Sequence, residues 1–303
     1  MSTPQSTALA PVVLAFIAAI FWGVWWIPIR YLESMGLTGA LAGIVLNLGA
    51  AIAIVIYMLI TRQMPLISRR AIAGAALVGI AVSTYSVALT LSDVVRVILL
   101  FYLAPAWSKL IEWAFLGQRW RHASTFTLTI SLAGALLVLG GDLSTNSIGL
   151  GDVLAILSGM SWAVGAALIF TGKKSTALPL TLTALISAIM SAALYAVLKG
   201  ETGLMTGTTN AISIGLGIGV IYVVPVLALT LWSAQRLAPA LLSFLFTLEI
   251  LSGVVSGALF LDETFNILQM LGGGMIVLAA LVEVAVAMRS AGNCGTQDSS
   301  EPI

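Results

Sequence analysis

Three ionisable side chains, Lys109, Glu112 and Glu249, fall inside long apolar stretches of the chain. A charge near the centre of a bilayer costs at least about 2.5 kcal/mol unless it is paired or hydrated, so such groups mark a pathway, a partner or both. Lys109 and Glu112 stand three apart and share one face of a helix, close enough to neutralise each other. Two readings stay open for them: a self-paired structural couple, or a charged lining sensitive to protons. Glu249 has no basic residue at helical spacing, so it is protonated, hydrated or met by a group from another helix, with Lys109 as one geometrically possible partner.

Aromatic side chains form the second set. Trp22 and Trp162 fall near the middle of apolar stretches, where lipid gives an indole N–H no partner and an internal cavity can supply one. Trp22 and Trp26 are four apart, which on a continuous helix places them on one face as an aromatic wall. With Tyr85, Tyr102, Phe244 and Glu249 they make the candidate lining of a small-molecule site, and Trp25 is left out as pointing partly elsewhere. Such a wall suits apolar bodies by burial and cations by attraction to the ring faces. Pro105 and Pro225 sit within spans, where each removes a backbone hydrogen bond, and they are hinge candidates or static kinks. Ser83, Thr84, Ser158 and Ser161 are expected to bond neighbouring helices or to face water.

The elements that must position these groups are transmembrane helices. Of 303 residues, 60% are hydrophobic and 8% charged, with a mean hydropathy of +1.09. That lies far outside the range of soluble domains. Runs of about twenty apolar residues suit helices rather than the ten-residue alternation of barrel strands. The spans are expected at 11–31, 37–60, 71–90, 95–116, 124–141, 151–172, 178–199, 210–232, 239–261 and 267–288. They form a single membrane domain over residues 11–288, between a short tail (1–10) and a disordered one (289–303). The net charge of +1 gives no reason to expect nucleic acid as a partner. With the N-terminus inside, the inner loops hold Arg62, Arg69, Arg70, Arg119, Arg121, Lys173, Lys174, Arg236 and Arg289, against Arg30, Arg96 and Lys199 outside. Both termini are therefore expected in the cytoplasm. The first span reads as retained rather than as a cleaved leader.

The halves echo each other. Trp22 in AAIFWGVWW is followed 140 residues later by Trp162 in LSGMSWAVGAA, and Phe115-Leu116 recur 145 residues later as Phe260-Leu261. The common order and near-constant offset indicate a duplication, with repeat one at about 11–146 and repeat two at about 147–288. With an odd number of spans in each half, the copies insert in opposite orientations.

On Trp22-Gly23 with Arg30 eight residues later, YSVALTLSDVVRVILLFYLAPAW, FLGQRW and FLDETF, the chain resembles the drug/metabolite transporter superfamily, in its EamA-type group. Tyr102-Leu103 before Pro105 and Gly117-Gln118 after the helix are most similar to YddG-type amino-acid exporters. The resemblance implies ten transmembrane helices in two inverted five-helix repeats around a central cavity. It also implies a carrier that exports hydrophobic or aromatic amino acids by alternating access, with a bacterial inner membrane as its usual address. Gln118 in place of glutamate and the missing proline near Leu248–Ile250 depart from the pattern and bear on the substrate. Export of lipophilic cations or drugs is the alternative. A membrane-embedded enzyme fits less well: His122, the one histidine, lies in a basic loop, and neither an HExxH nor a phosphate-gripping motif occurs. No cofactor or metal is expected.

Overall fold

The computed structural model describes residues 9–37, 40–62, 67–92, 97, 100–120, 122–138, 149–200, 209–261 and 267–297. Asp93, Arg96 and Arg121 lie outside them, as do the ends of both tails. Every regular element among the described residues is helical. In chain order these are α1 (Leu9–Gly23), α2 (Trp26–Ser34), α3 (Ala40–Thr61), α4 (Arg69–Leu91), α5 (Ala104–Phe115), α6 (His122–Val138), α7 (Leu150–Thr171), α8 (Ala177–Lys199), α9 (Thr209–Ile218), α10 (Val224–Ala234), α11 (Pro239–Phe246), α12 (Leu248–Leu261) and α13 (Ile267–Gln297). One π-helical turn, Gly219–Val223, joins α9 to α10.

Among the described residues, six stretches are long and apolar enough to cross a bilayer: Leu9–Ser34, Ala40–Thr61, Arg69–Leu91, Leu150–Thr171, Ala177–Lys199 and Thr209–Ala234. Of the other four expected spans, those at 95–116 and 124–141 coincide with shorter helices, that at 239–261 with an interrupted one and that at 267–288 with a longer one. At 12 residues α5 spans about 18 Å, short of a hydrocarbon core of about 30 Å. The ninth expected span breaks at Thr247 between α11 and α12. The last helix continues past 288 to Gln297, through residues read from sequence as a disordered tail. Extending an existing helix adds a hydrogen bond per residue without a new nucleus, and the next proline is Pro302.

Large apolar side chains face outward on several helices, Leu194, Val197, Leu198 and Ile221 among them, as a lipid-facing surface demands. Inside, α4 packs along α7 and α8, and α3 runs beside α8 and α9. Small residues and hydroxyls make these contacts close. Ser158 and Ser161 of α7 donate to the α4 carbonyls of Ala81 and Leu77 at 2.7 and 2.8 Å, and Ser187 of α8 donates to Ala76 at 2.7 Å. Interhelical bonds of this kind average about 0.6 kcal/mol in lipid, so they set register more than they supply stability.

The interruptions share a position in the fold. The expected spans one, four, eight and nine are broken at Val24–Trp25, at Tyr102–Leu103, in the π-helical turn and at Thr247. Pro28, Pro105 and Pro225 each sit in the first turns of the helical segment that follows a break. There a missing N–H is tolerated, because the first turn has no intrahelical acceptor for it. Two glycines let neighbouring helices reach the broken backbone. A side chain at Gly23 would collide with Ser252 and the backbone of Glu249 and Gly253, and one at Gly159 would press on the carbonyl of Phe101. The prolines therefore stand beside breaks, at positions a hinge would occupy.

Candidate functional site

Trp22, at the end of α1, and Trp162, in the middle of α7, both turn into the protein and are buried. Each indole N–H is satisfied by a hydroxyl from another helix: Trp22 donates to Thr230 at 3.0 Å and Trp162 to Ser243 at 3.3 Å. Between them lies a small hollow lined by Trp22, Ala81, Val82, Tyr85, Phe101, Trp162, Phe246 and Glu249. The Trp162 ring lies 5.1 Å from that of Phe246, and the Tyr85 ring 4.9 Å from that of Phe101, both tilted. Trp22 continues into a second aromatic layer, with Trp25 at 5.4 Å and Tyr222 stacked on Trp25 at 6.0 Å. Tyr222 in turn donates to the carbonyl of Phe21.

The hollow is narrower than the solute-sized cavity expected from sequence. Its volume is about 30 Å³. That is room for about one water, whereas ligand pockets run from about 300 Å³ upward. The aromatic rings meet across it, so the structure holds the site in a contracted conformation.

Glu249 sits in the first turn of α12, just past the Thr247 break. Its carboxyl accepts from the Tyr85 hydroxyl at 3.4 Å. Tyr102 donates its one O–H to the Phe246 carbonyl at 3.3 Å, tying the end of α11 to the break before α5. Among the described residues no basic side chain lines the hollow. Lys109 is committed elsewhere: its ammonium lies 3.4 Å from Glu112 on the same helix. The other Glu112 oxygen accepts the backbone N–H of Ala240 at 2.8 Å. Ala238, which precedes α11, has no side chain able to cap that helix, and Glu112 of α5 supplies the missing acceptor across the interface. Ser108 and Ser243 add a bond of 2.8 Å between the same helices. The pair therefore joins α5 to α11 and stands outside the lining.

The structure thus brings Trp22, Tyr85, Trp162 and Glu249 together around one point. It places Tyr102 behind them, and leaves Trp26 and Phe244 apart. Trp26 starts α2 after the break, and its indole donates to Ser256 at 3.1 Å. Four-residue spacing places side chains on one face only while the helix is continuous, and α1 ends at Gly23. Phe244 is buried within the packing of α11, while Phe246 two residues on reaches the hollow. Trp25, set aside in the sequence reading, is buried against Trp22 and donates to Ser86 at 3.3 Å. Phe101 and Phe246 carried a usable signal: they are 145 residues apart, the same offset as Phe115 and Phe260.

Comparison with known proteins supplies the family. A sequence profile of the EamA-like transporter family matches twice, over residues 9–140 and 149–284. This chain belongs to the EamA-like transporter family. An EamA-like transporter is a multi-pass membrane protein, and the family is one of transporters within the drug/metabolite transporter superfamily rather than of enzymes. A search of curated protein sequences finds no match. Among solved structures 29 chains match. One crystal structure of a protein aligns with a TM-score of 0.72 at 17% identity, over 92% of this chain and 97% of that one. At that identity the likeness concerns the fold of this EamA-like transporter alone.

Proposed function

We propose that this EamA-like transporter is a secondary carrier that exports small organic solutes with aromatic or apolar bodies, binding them between Trp22, Phe101, Trp162 and Phe246 and exposing the site to each side of the membrane in turn. The observation that carries this reading is the pairing of the lining: Trp22 with Trp162, and Phe101 with Phe246, are related by the 140- and 145-residue offsets of the two halves. A site built from matching residues of two halves is the arrangement that lets one half rock against the other around a fixed ligand.

Two further observations favour ten spans in two inverted halves. The family profile matches each half once. The most extensive helix contacts also pair up when each expected span is exchanged with the one five places on. The first packs on the ninth and the sixth on the fourth, the first on the eighth and the sixth on the third, the second on the eighth and the seventh on the third. The second with seventh, fourth with ninth and fifth with tenth are their own images. In this reading repeat one covers about 11–146 and repeat two about 147–288, with both termini cytoplasmic in a bacterial inner membrane. The contracted hollow is then an occluded state, closed between its two openings. Hydrophobic and aromatic amino acids, the cargo of YddG-type exporters, have bodies that fit such a lining.

Purified protein in liposomes, loaded with one solute and screened against labelled amino acids and organic cations, tests the reading. Saturable, protein-dependent counterflow of at least one aromatic-bodied solute is the expected result. Flux that rises linearly with concentration and shows no exchange contradicts a carrier.

A further inference from the structure

A larger space than the hollow lies on the outer flank of the protein, in a groove between α5 and α7 with a volume of about 260 Å³. Leu110, Trp113 and Phe115 of α5 and Met160 and Val164 of α7 line it, and all five are exposed. Met160 and Val164 stand four apart, on the outer face of the helix whose inner face carries Trp162. No polar atom faces the groove. Even the Trp107 indole N–H, whose ring forms part of the wall and which has no acceptor among the described residues, is covered by protein. On the flank of a chain that spans a bilayer, the occupant such a lining suits is hydrocarbon.

One end of the groove adds a charge. Past Phe115 the chain reverses at Gly117, whose φ of +66° lets the Gln118 N–H return to the Glu112 carbonyl at 3.1 Å. The reversal sets Trp120 edge-on to Trp113, with ring centroids 6.5 Å apart, and the Trp120 indole donates to Thr125 of α6 at 2.8 Å. Arg119, the residue before Trp120, is thereby held at the mouth of the groove, exposed and with no acidic partner among the described residues. Two indoles beside a cation mark the level of the lipid head groups. A guanidinium at that level presents paired N–H groups to a phosphate.

We propose that the groove between α5 and α7 binds one anionic phospholipid, with an acyl chain along Leu110, Met160 and Val164 and the phosphate on Arg119. The lipid backs the helix that carries Trp162 and fills the seam between it and α5. The assignment stands apart from the identity of any transported solute.

Native mass spectrometry of the full chain, delipidated in detergent and titrated with phosphatidylglycerol or with phosphatidylcholine of the same acyl chains, provides the test. The expected result is one tightly held phosphatidylglycerol per chain, bound about fivefold more tightly than phosphatidylcholine, the factor for one basic side chain at a lipid surface. The unfolding temperature should rise with phosphatidylglycerol and level off as that one site fills. Ala114→Trp and Val164→Trp each push a ring into the groove from an exposed position and are expected to lose the tight lipid of either kind. Arg119→Gln should hold the two lipids equally. Equal binding of both lipids by the wild type, or a tight lipid that persists in the groove variants, overturns the proposal. A dimer that the wild type forms and the groove variants lose overturns it too, by assigning the groove to a second copy of the chain. Should one groove variant fail to fold, the other and Arg119→Gln still decide the matter.

Discussion

Replacing Lys109 by methionine is expected to destabilise the folded protein by about 3–5 kcal/mol, the usual cost of stranding one member of a buried ion pair. Glu112 is buried, and its two oxygens have different duties: one faces Lys109 at 3.4 Å, the other accepts the Ala240 N–H at 2.8 Å. Lys109→Met leaves the Glu112 carboxylate its bond from the Ala240 N–H but takes away the counter-charge. Adding Glu112→Leu removes the stranded charge but opens the Ala240 N–H at the start of α11, a loss of about 1 kcal/mol for a missing cap. Adding Glu112→Gln removes the charge and keeps an oxygen for Ala240. Thermal unfolding in detergent should therefore rank Lys109→Met lowest, the Leu double variant above it and the Gln double variant closest to wild type. A single variant as stable as wild type contradicts the pairing.

Trp162→Ala is expected to raise the half-saturation for an aromatic-bodied solute about tenfold, equivalent to 1.4 kcal/mol. The ring lies 5.1 Å from Phe246, its N–H reaches Ser243, and it is 5% exposed, so truncation also removes packing. Large-to-small changes at such positions cost about 3–5 kcal/mol, and a loss of transport in the alanine variant alone is ambiguous. Trp162→Phe resolves this, since it keeps a six-membered ring against Phe246 and gives up the pyrrole ring with its N–H. Its loss of stability should be smaller than that of the alanine variant, because less volume is removed, with a half-saturation between those of wild type and alanine. Unchanged counterflow kinetics in the alanine variant would remove Trp162 from the lining.

Part of this site was legible because membrane burial is unforgiving. An indole or a carboxylate at mid-span must find a partner, and Trp22, Trp162 and Glu249 do find theirs inside the protein. What the chain conceals is where its helices break. Trp26 was placed beside Trp22 by counting four residues along a helix that stops at Gly23, and the same break turns Trp25 inward. The Thr247 break has no proline to announce it, and where the sequence reading names Phe244, the repeat offset from Phe101 points to Phe246. Lys109 as a partner for Glu249 failed for a simpler reason. Glu112, one turn away, reaches it first, and the need of α11 for a cap holds Glu112 in place.

The central claim is that the hollow between Trp22, Phe101, Trp162 and Phe246 opens alternately to the two sides of the membrane. Cys294 is the only cysteine, so Cys294→Ser gives a thiol-free background in which Val82→Cys places a single reporter in the lining. Labelling that thiol with a membrane-impermeant reagent, added inside or outside sealed vesicles with and without a transported solute, measures access directly. The account expects modification from either side and protection by the solute on both. A thiol that reacts from one side only, or from neither, would contradict it.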